Sequence, residues 1–110
     1  MKRTFVQTSI FSKRLDEKES GLLLESIEEE ILENPLAGDV IPGTGGVRKL
    51  RFADPRRGKG KRGGLRNLFL DLPRRGITYL LYLYGKDEAA DISAKQKKQI
   101  SALVRIIKGD

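Results

Sequence analysis

Residues 77–84, with the sequence ITYLLYLY, constrain the fold more than any other part of the chain. Thr78 is the only residue in this run that is neither aliphatic nor aromatic. A strand with one solvated face alternates between apolar and polar residues, whereas a strand buried on both faces is apolar throughout. The segment is therefore predicted to be a central, buried β-strand.

Hydrophobic periodicity and turn residues predict the other elements, in the order strand, two helices, three strands and a last helix. The predicted strands cover residues 4–8, 47–53, 65–72 and 77–84. The predicted helices begin at Ser9, Glu19 and Ser93. The second helix ends at Asn34, because Pro35 cannot continue it. Ser93 and Gln96 have the spacing of a capping box, which marks the start of the last helix.

The connections are rich in glycine, proline and charge. Residues 38–46 are read as a loop around a brief extended piece at Val40 and Ile41. Residues 54–63 are read as a flexible basic loop, and residues 73–76 as a tight hairpin turn. The fold is accordingly predicted to be α+β, with two N-terminal helices and one C-terminal helix packed on a small antiparallel sheet. One of its strands is N-terminal and three are C-terminal, and residues 1–110 are expected to form a single domain.

The chain contains no histidine and no cysteine. The missing histidine excludes the usual general acid and base at neutral pH and every Ser-His or Cys-His nucleophile. The missing cysteine excludes disulfides and thiolate metal sites, which fits a cytoplasmic protein. We expect no metal site, no small-molecule cofactor and no membrane partner, since no apolar run approaches the length of a membrane span.

The basic residues are concentrated in one window, residues 48–66. It holds nine lysines and arginines against one acid, Asp54, so its net charge is +8 while the whole chain carries +7. Such a local excess is typical of a surface that binds a polyanion, and RNA is the leading candidate. The simpler interpretation is a solvated loop beside an edge strand, where charge discourages aggregation.

The predicted strands divide this window into two parts. Lys49, Arg51 and Arg66 fall on neighbouring strands, which hold side chains in the fixed positions that catalysis requires. The other basic residues are predicted to grip the RNA backbone, and these are Arg48, Arg56, Arg57, Lys59, Lys61 and Arg62.

Three tyrosines lie on the central strand. Tyr79 alternates with leucines and is assigned to the core. Tyr82 and Tyr84 share the other face, and Tyr84 lies near the end of the strand beside Lys86. A phenol at that place could stack on a base or hold a phosphate, and it could equally be a core residue.

Several short segments follow one another in a recognisable order. They are residues 38–41 (GDVI), 43–49 (GTGGVRK), 58–66 (GKGKRGGLR), 79–81 (YLL), 84–86 (YGK), and Asp91 ahead of the last helix. In this order they resemble the HigB-like branch of the RelE toxin superfamily, over nearly the whole chain. The resemblance implies a RelE-like fold and a toxin of a type II toxin–antitoxin pair. Such a toxin enters the ribosomal A site, cuts the mRNA without a metal and is neutralised by a cognate antitoxin.

The resemblance also implies roles for individual residues. Lys49, Arg51 and Arg66 match basic active-site positions, and Tyr84 and Lys86 lie where the family places further active-site groups. Of these two, Tyr84 is assigned to catalysis and Lys86 to RNA binding. The family commonly has two tyrosines where this chain has Phe69 and Leu70. If either tyrosine takes part in catalysis, this chain cuts slowly or not at all, although Phe69 could still stack on a base.

Two alternatives to an endoribonuclease stay open at this point. The chain could be a non-catalytic module that binds RNA or the ribosome through the same basic window. It could also act mainly through its antitoxin complex, with weak cleavage or none.

Overall fold

The computed structural model describes residues 3–18, 22–52, 64–85, 88 and 91–109. Eight elements follow one another along these residues. They are β1 (Thr4–Gln7), α1 (Ser9–Glu17), α2 (Leu23–Glu33), β2 (Asp39–Val40), β3 (Arg48–Phe52), β4 (Leu65–Leu72), β5 (Ile77–Gly85) and α3 (Ala94–Lys108). The α+β class, the three helices and the order of the long strands are confirmed. The predicted basic loop, residues 54–63, lies outside the described residues.

The five strands form one sheet in the order β1-β5-β4-β3-β2. β5 is an internal strand, as its apolar sequence predicts. The expectation of a wholly antiparallel sheet is wrong, because β1 pairs with β5 in parallel. Whether β1 pairs with β5 in parallel or antiparallel depends on the path of the chain between them. Hydrophobic periodicity carries no information about that path. The extended piece near Val40 is also a true strand, β2, paired with β3.

A bulge in β5 changes which residues face which side of the sheet. Leu68 pairs with Tyr82 but its neighbour Phe69 pairs with Leu80, so β5 carries one extra residue at this point. As a result Leu81 and Tyr82 both contribute to the core beneath α3. Tyr79 joins the same core as Tyr82 and Tyr84, instead of facing away from them as strict alternation predicts.

Hydrophobic cores lie on both faces of the sheet. On one face α1 and α2 bury Phe11, Ile27 and Ile31 against sheet residues that include Phe69 and Leu83. On the other face α3 buries its own apolar side chains, Ile100 and Val104, against the opposite side of β4 and β5. None of the described helices is long and apolar enough to cross a membrane.

Helix α1 covers the part of β5 that β1 is too short to reach. Thr8 donates its hydroxyl to the Leu81 carbonyl oxygen at 2.8 Å, and Arg14 donates to the Leu83 carbonyl oxygen. Thr8 also caps the helix by accepting from the Phe11 amide, so the cap is Thr8 and not Ser9 as predicted. The exposed edge of β5 is thereby closed to other strands.

Helix α3 is capped at both ends. The predicted capping box between Ser93 and Gln96 is confirmed, with each side chain bonded to the other residue's backbone amide. At the far end Arg75, in the turn between β4 and β5, donates to the carbonyl oxygens of Ile107 and Lys108. These bonds satisfy backbone groups that a helix terminus leaves unpaired.

Asn67 is an unusual residue in the core beneath α1 and α2. It is fully buried between its cross-strand neighbours Leu50 and Leu83, and neither of its side-chain polar atoms has a hydrogen-bond partner among the described residues. A buried amide without partners loses its hydration and gains nothing in return.

We therefore expect Asn67→Leu, which keeps the branched shape, to raise the free energy of unfolding by about 1–3 kcal/mol. Urea denaturation of both proteins measures the difference. Asn67→Asp is the matched control and should destabilise the fold, because it buries a charge. A less stable Asn67→Leu variant would contradict the assignment of Asn67 as an unsatisfied core residue.

Candidate functional site

Direct cross-strand pairing brings three of the four predicted catalytic residues into one row. Arg66 on β4 lies opposite Arg51 on β3 and opposite Tyr84 on β5. Residues directly opposite each other in a sheet project from the same face with their Cβ atoms about 5 Å apart. This row therefore presents two guanidinium groups and a phenol to the face that α3 covers.

Lys49 extends the row along β3. It lies two residues before Arg51, so both side chains project from the same face of the strand. Lys49 pairs with Leu68, which in turn pairs with Tyr82. The sheet thus collects Lys49, Arg51, Arg66 and Tyr84 at one end of its α3 face, and we call these four residues the candidate site.

The members of the candidate site differ in their exposure. Arg51 is exposed and Lys49 is half-buried, so both can meet a ligand directly. Arg66 is only 5% exposed and donates to the Gly64 carbonyl oxygen at 3.3 Å. Tyr84 is only 2% exposed. The candidate site therefore has an accessible cationic rim above a buried cation and a buried phenol.

Asp91 is a residue that the sequence analysis did not assign to the site. Its carboxylate Oδ1 lies 3.6 Å from the Nζ of Lys49, and most of its side chain is exposed. It lies just before α3, more than forty residues from Lys49 along the chain. Only the packing of α3 on the sheet joins them, so no local sequence signal identifies the pair.

The environment keeps Tyr84 protonated. Burial, the Asp91 carboxylate and Tyr82 together raise the pKa of Tyr84 to about 12, although the nearby Arg66 cation acts in the opposite direction. Its hydroxyl has no hydrogen bond of normal geometry to a described residue. At neutral pH Tyr84 is consequently a neutral phenol that can donate a hydrogen bond but cannot serve as a general base.

This raised pKa makes stability depend on pH. The folded protein holds the Tyr84 proton up to about pH 12, whereas the ordinary value of 10.0 applies in the unfolded chain. Because the folded state holds this proton more tightly, the proton contributes to stability. The contribution is complete below pH 10 and is lost as pH rises towards 12. Between pH 10 and pH 12 the free energy of unfolding should therefore fall by about 2–3 kcal/mol more in the wild type than in Tyr84→Phe. Denaturant unfolding of both proteins at several pH values measures the difference.

Asp91→Asn supplies the matched control for this pH dependence. Removing the carboxylate should lower the Tyr84 pKa without restoring its ordinary value, because burial is the largest cause of the shift. A titration of phenolate absorbance, with Tyr84→Phe to identify the signal, reports this directly. Identical stability profiles for wild type and Tyr84→Phe would refute the buried, protonated state.

Arg48 is separated from the candidate site. It lies on the opposite face of β3 from Lys49, and its guanidinium donates to the carbonyl oxygens of Leu36 and Gly38 at 2.8 and 3.1 Å. These bonds hold the segment between α2 and β2 against the sheet. The prediction that Arg48 binds RNA stays untested, and its observed contacts are structural.

The remaining predicted RNA-binding residues cannot be placed. They are Arg56, Arg57, Lys59, Lys61, Arg62 and Lys86, all outside the described residues. Within the described residues no group of three or more histidine, cysteine, aspartate or glutamate side chains could hold a metal ion.

The two positions where the family commonly has tyrosines lie away from the candidate site. Phe69 is fully buried in the core beneath α1 and α2, so the prediction that it could stack on a base is wrong. Leu70 is buried beneath α3, four residues from Arg66, which is about 13 Å along a strand. The side chains at both positions pack in the hydrophobic cores.

Comparisons with known proteins bear on the fold. No protein-family model matches the chain. The fold is RelE-like. The structure is similar to that of the E. coli toxin RelE, solved in the free state as a mutant with two arginines changed to alanine. The TM-score is 0.58 at 12% sequence identity, and the match covers 93% of this chain and 96% of that chain.

Proposed function

We propose that this protein is the toxin of a type II toxin–antitoxin pair and an endoribonuclease that cuts mRNA in the ribosomal A site. The observation that carries the proposal is the cross-strand gathering of Lys49, Arg51, Arg66 and Tyr84 on one face of a RelE-like sheet. The HigB-like order of motifs supports the same conclusion. Action on the ribosome would place the protein in the cytoplasm, and a cognate antitoxin would cover the basic face or block access to the ribosome.

Cleavage in this proposal uses the RNA's own 2′-hydroxyl. Its oxygen attacks the adjacent phosphorus while the bond to the 5′-oxygen of the next nucleotide breaks. The products are a 2′,3′-cyclic phosphate and a 5′-hydroxyl: the 2′-hydroxyl gives up one proton, the leaving 5′-oxygen takes up one, and no water is consumed. Negative charge grows on the phosphate oxygens during this step, so fixed cations stabilise the transition state more than the ground state.

The positions of the side chains suggest a division of labour. Lys49 and Arg51 reach the surface and would contact the scissile phosphate. Arg66 lies beneath them, where a buried positive charge acts through its field in a medium of low dielectric constant. Tyr84, whose hydroxyl is buried beside Arg66 and Asp91, would act as a neutral group that helps to position Asp91 and would not itself contact the RNA.

Asp91 is our candidate for the proton acceptor. The chain has no histidine, and the raised pKa of Tyr84 excludes its phenolate at neutral pH. Asp91 is an exposed carboxylate that contacts Lys49 and adds to the raised pKa of Tyr84. A carboxylate at this place can take the 2′-hydroxyl proton as the attack begins.

Arg66→Ala tests the function. Purified protein is added to a translating extract and breaks in the mRNA are mapped. Wild type should make cuts in phase with the codons, and Arg66→Ala should slow them on the order of 10²-fold, because one fixed charge at the transition state is lost. Arg74→Ala, an exposed arginine in the turn between β4 and β5, is the matched control and should cut normally.

The other outcomes separate the alternatives. If translation stops with the mRNA intact, the chain binds without cutting. If nothing happens at any concentration, a complex-only role with the antitoxin is favoured. Naked RNA cut as fast as translated RNA would contradict ribosome dependence. Thermal unfolding of Arg66→Ala must accompany the assay, since a buried residue is removed.

Asp91→Asn tests the proton acceptor. It should slow single-turnover cleavage by about 10²-fold, and Asp91→Glu should recover part of the rate because it restores a carboxylate. Equal rates for wild type and Asp91→Asn would assign the proton to another group.

A further inference from the structure

Three adjoining grooves run along one side of α3. The first, of about 340 Å³, lies between β2, β3 and the start of α3, and its lining includes Lys49, Asp91 and Lys97. The second, of about 410 Å³, shares Lys97 with the first. The third, of about 240 Å³, shares Arg105 with the second and ends at Lys108. We call this continuous depression the α3 trough.

Most of the charge in the α3 trough is positive. Among the described residues, five cationic side chains line it: Lys49, Lys97, Lys98, Arg105 and Lys108. Its acids, Asp39 and Asp91, both lie in the first groove, where Asp91 pairs with Lys49. Beyond that groove no acid lines the trough, and Lys97, Lys98 and Arg105 form no ion pair within the described residues.

Opposite α3, the second and third grooves are lined by the glycine-rich loop at residues 43–45. Gly43 and Gly45 both have φ near 78°, a conformation that other residues rarely adopt. A Cβ atom at Gly45 would lie 3.0 Å from a Val104 methyl carbon, so glycine is what allows the loop to approach α3 this closely. Gly43 lines the second and third grooves, and its amide has no acceptor among the described residues. Peptide groups and cations together make a lining suited to phosphate oxygens.

The dimensions fit an extended strand of nucleic acid. Lys97 and Lys108 are eleven residues apart on α3, which corresponds to about 16 Å along the helix axis. A groove of this length with spaced cations can follow the phosphates of a few nucleotides, as positively charged grooves do in proteins that bind single strands. The first groove contains Lys49, so the trough is continuous with the candidate site.

We propose that the α3 trough binds the sugar-phosphate backbone of single-stranded RNA that extends from the candidate site. The inference rests on the proposed function in one respect, the identity of the strand as the RNA being cut. Lys97, Lys98 and Arg105 hold successive phosphates, and the Gly43 amide adds a neutral donor. The trough does not distinguish one base from another. It increases the affinity for RNA and aligns the strand with the candidate site.

The test compares two triple variants with equal loss of charge. The trough variant carries Lys97→Gln, Lys98→Gln and Arg105→Gln. The control variant carries Lys13→Gln, Arg74→Gln and Lys95→Gln, which are exposed residues outside the trough. Both lower the formal charge from +7 to +4. Affinity for a short single-stranded RNA is measured over a range of salt concentrations.

Each phosphate contact that is lost lowers the slope of log affinity against log salt by about 0.7. The trough variant should therefore have a slope shallower by about 2 than that of wild type, and the control variant a slope close to that of wild type. Equal slopes for the two variants would overturn the proposal. So would a trough variant that binds RNA normally but loses binding to phosphatidylglycerol vesicles, which would assign the trough to a membrane surface.

Cross-linking gives a second, positional readout. Because the chain has no cysteine, Ser101→Cys introduces a unique thiol in the trough for a photoreactive label. It should cross-link to bound RNA, whereas the same label at Ser26→Cys on α2 should not. Equal cross-linking at both positions would overturn the proposal even if the salt slopes differ.

Cleavage assays distinguish this proposal from the proposed function. If the trough variant loses RNA affinity and the wild type never cuts mRNA, the trough stands and the endoribonuclease fails. If wild type and both triple variants cut translated mRNA with the same KM and the same kcat, the trough fails and the endoribonuclease stands. The expected result is a raised KM for the trough variant alone.

Discussion

The antiparallel pairing of β4 with β5 is the interaction on which the rest of the structure depends. Both strands are buried on both faces, so each core has these two strands as one of its walls. The same pairing sets Arg66 beside Tyr84. The strands that form the cores therefore also carry residues of the candidate site. Because core packing fixes these strands, the side chains of the candidate site are held in fixed positions.

Burial gives the candidate site its chemical character. A guanidinium and a phenol lie beneath an accessible lysine and arginine, and Asp91 approaches from the segment before α3. Desolvation keeps Tyr84 neutral, while Arg66 stays charged because a guanidinium cannot be deprotonated in a protein. The site therefore combines a permanent positive field with a neutral hydrogen-bond donor, which suits the stabilisation of charge on a phosphate better than proton abstraction by tyrosine.

Local signals predicted local structure well. The bounds of β4 and the capping box of α3 agree with the structure, because alternation and a Ser-Gln pair act within a few residues. The bulge in β5 escaped prediction, since nothing in its apolar run marks the extra residue. The parallel pairing of β1, the separation of Arg48 and the approach of Asp91 to Lys49 all depend on contacts between distant segments.

The sequence by itself determined that the protein has a buried central strand, a concentrated positive charge and no histidine chemistry. These properties follow from composition and from residue patterns within single segments, which do not depend on contacts with other parts of the chain. Only the tertiary structure decided which cations share a face, because a residue's side of the sheet depends on register and on bulges. It also placed Asn67 unsatisfied in the core and aligned the cations of α3 with Lys49. Charge is a property of residues, whereas a binding surface is a property of their packing.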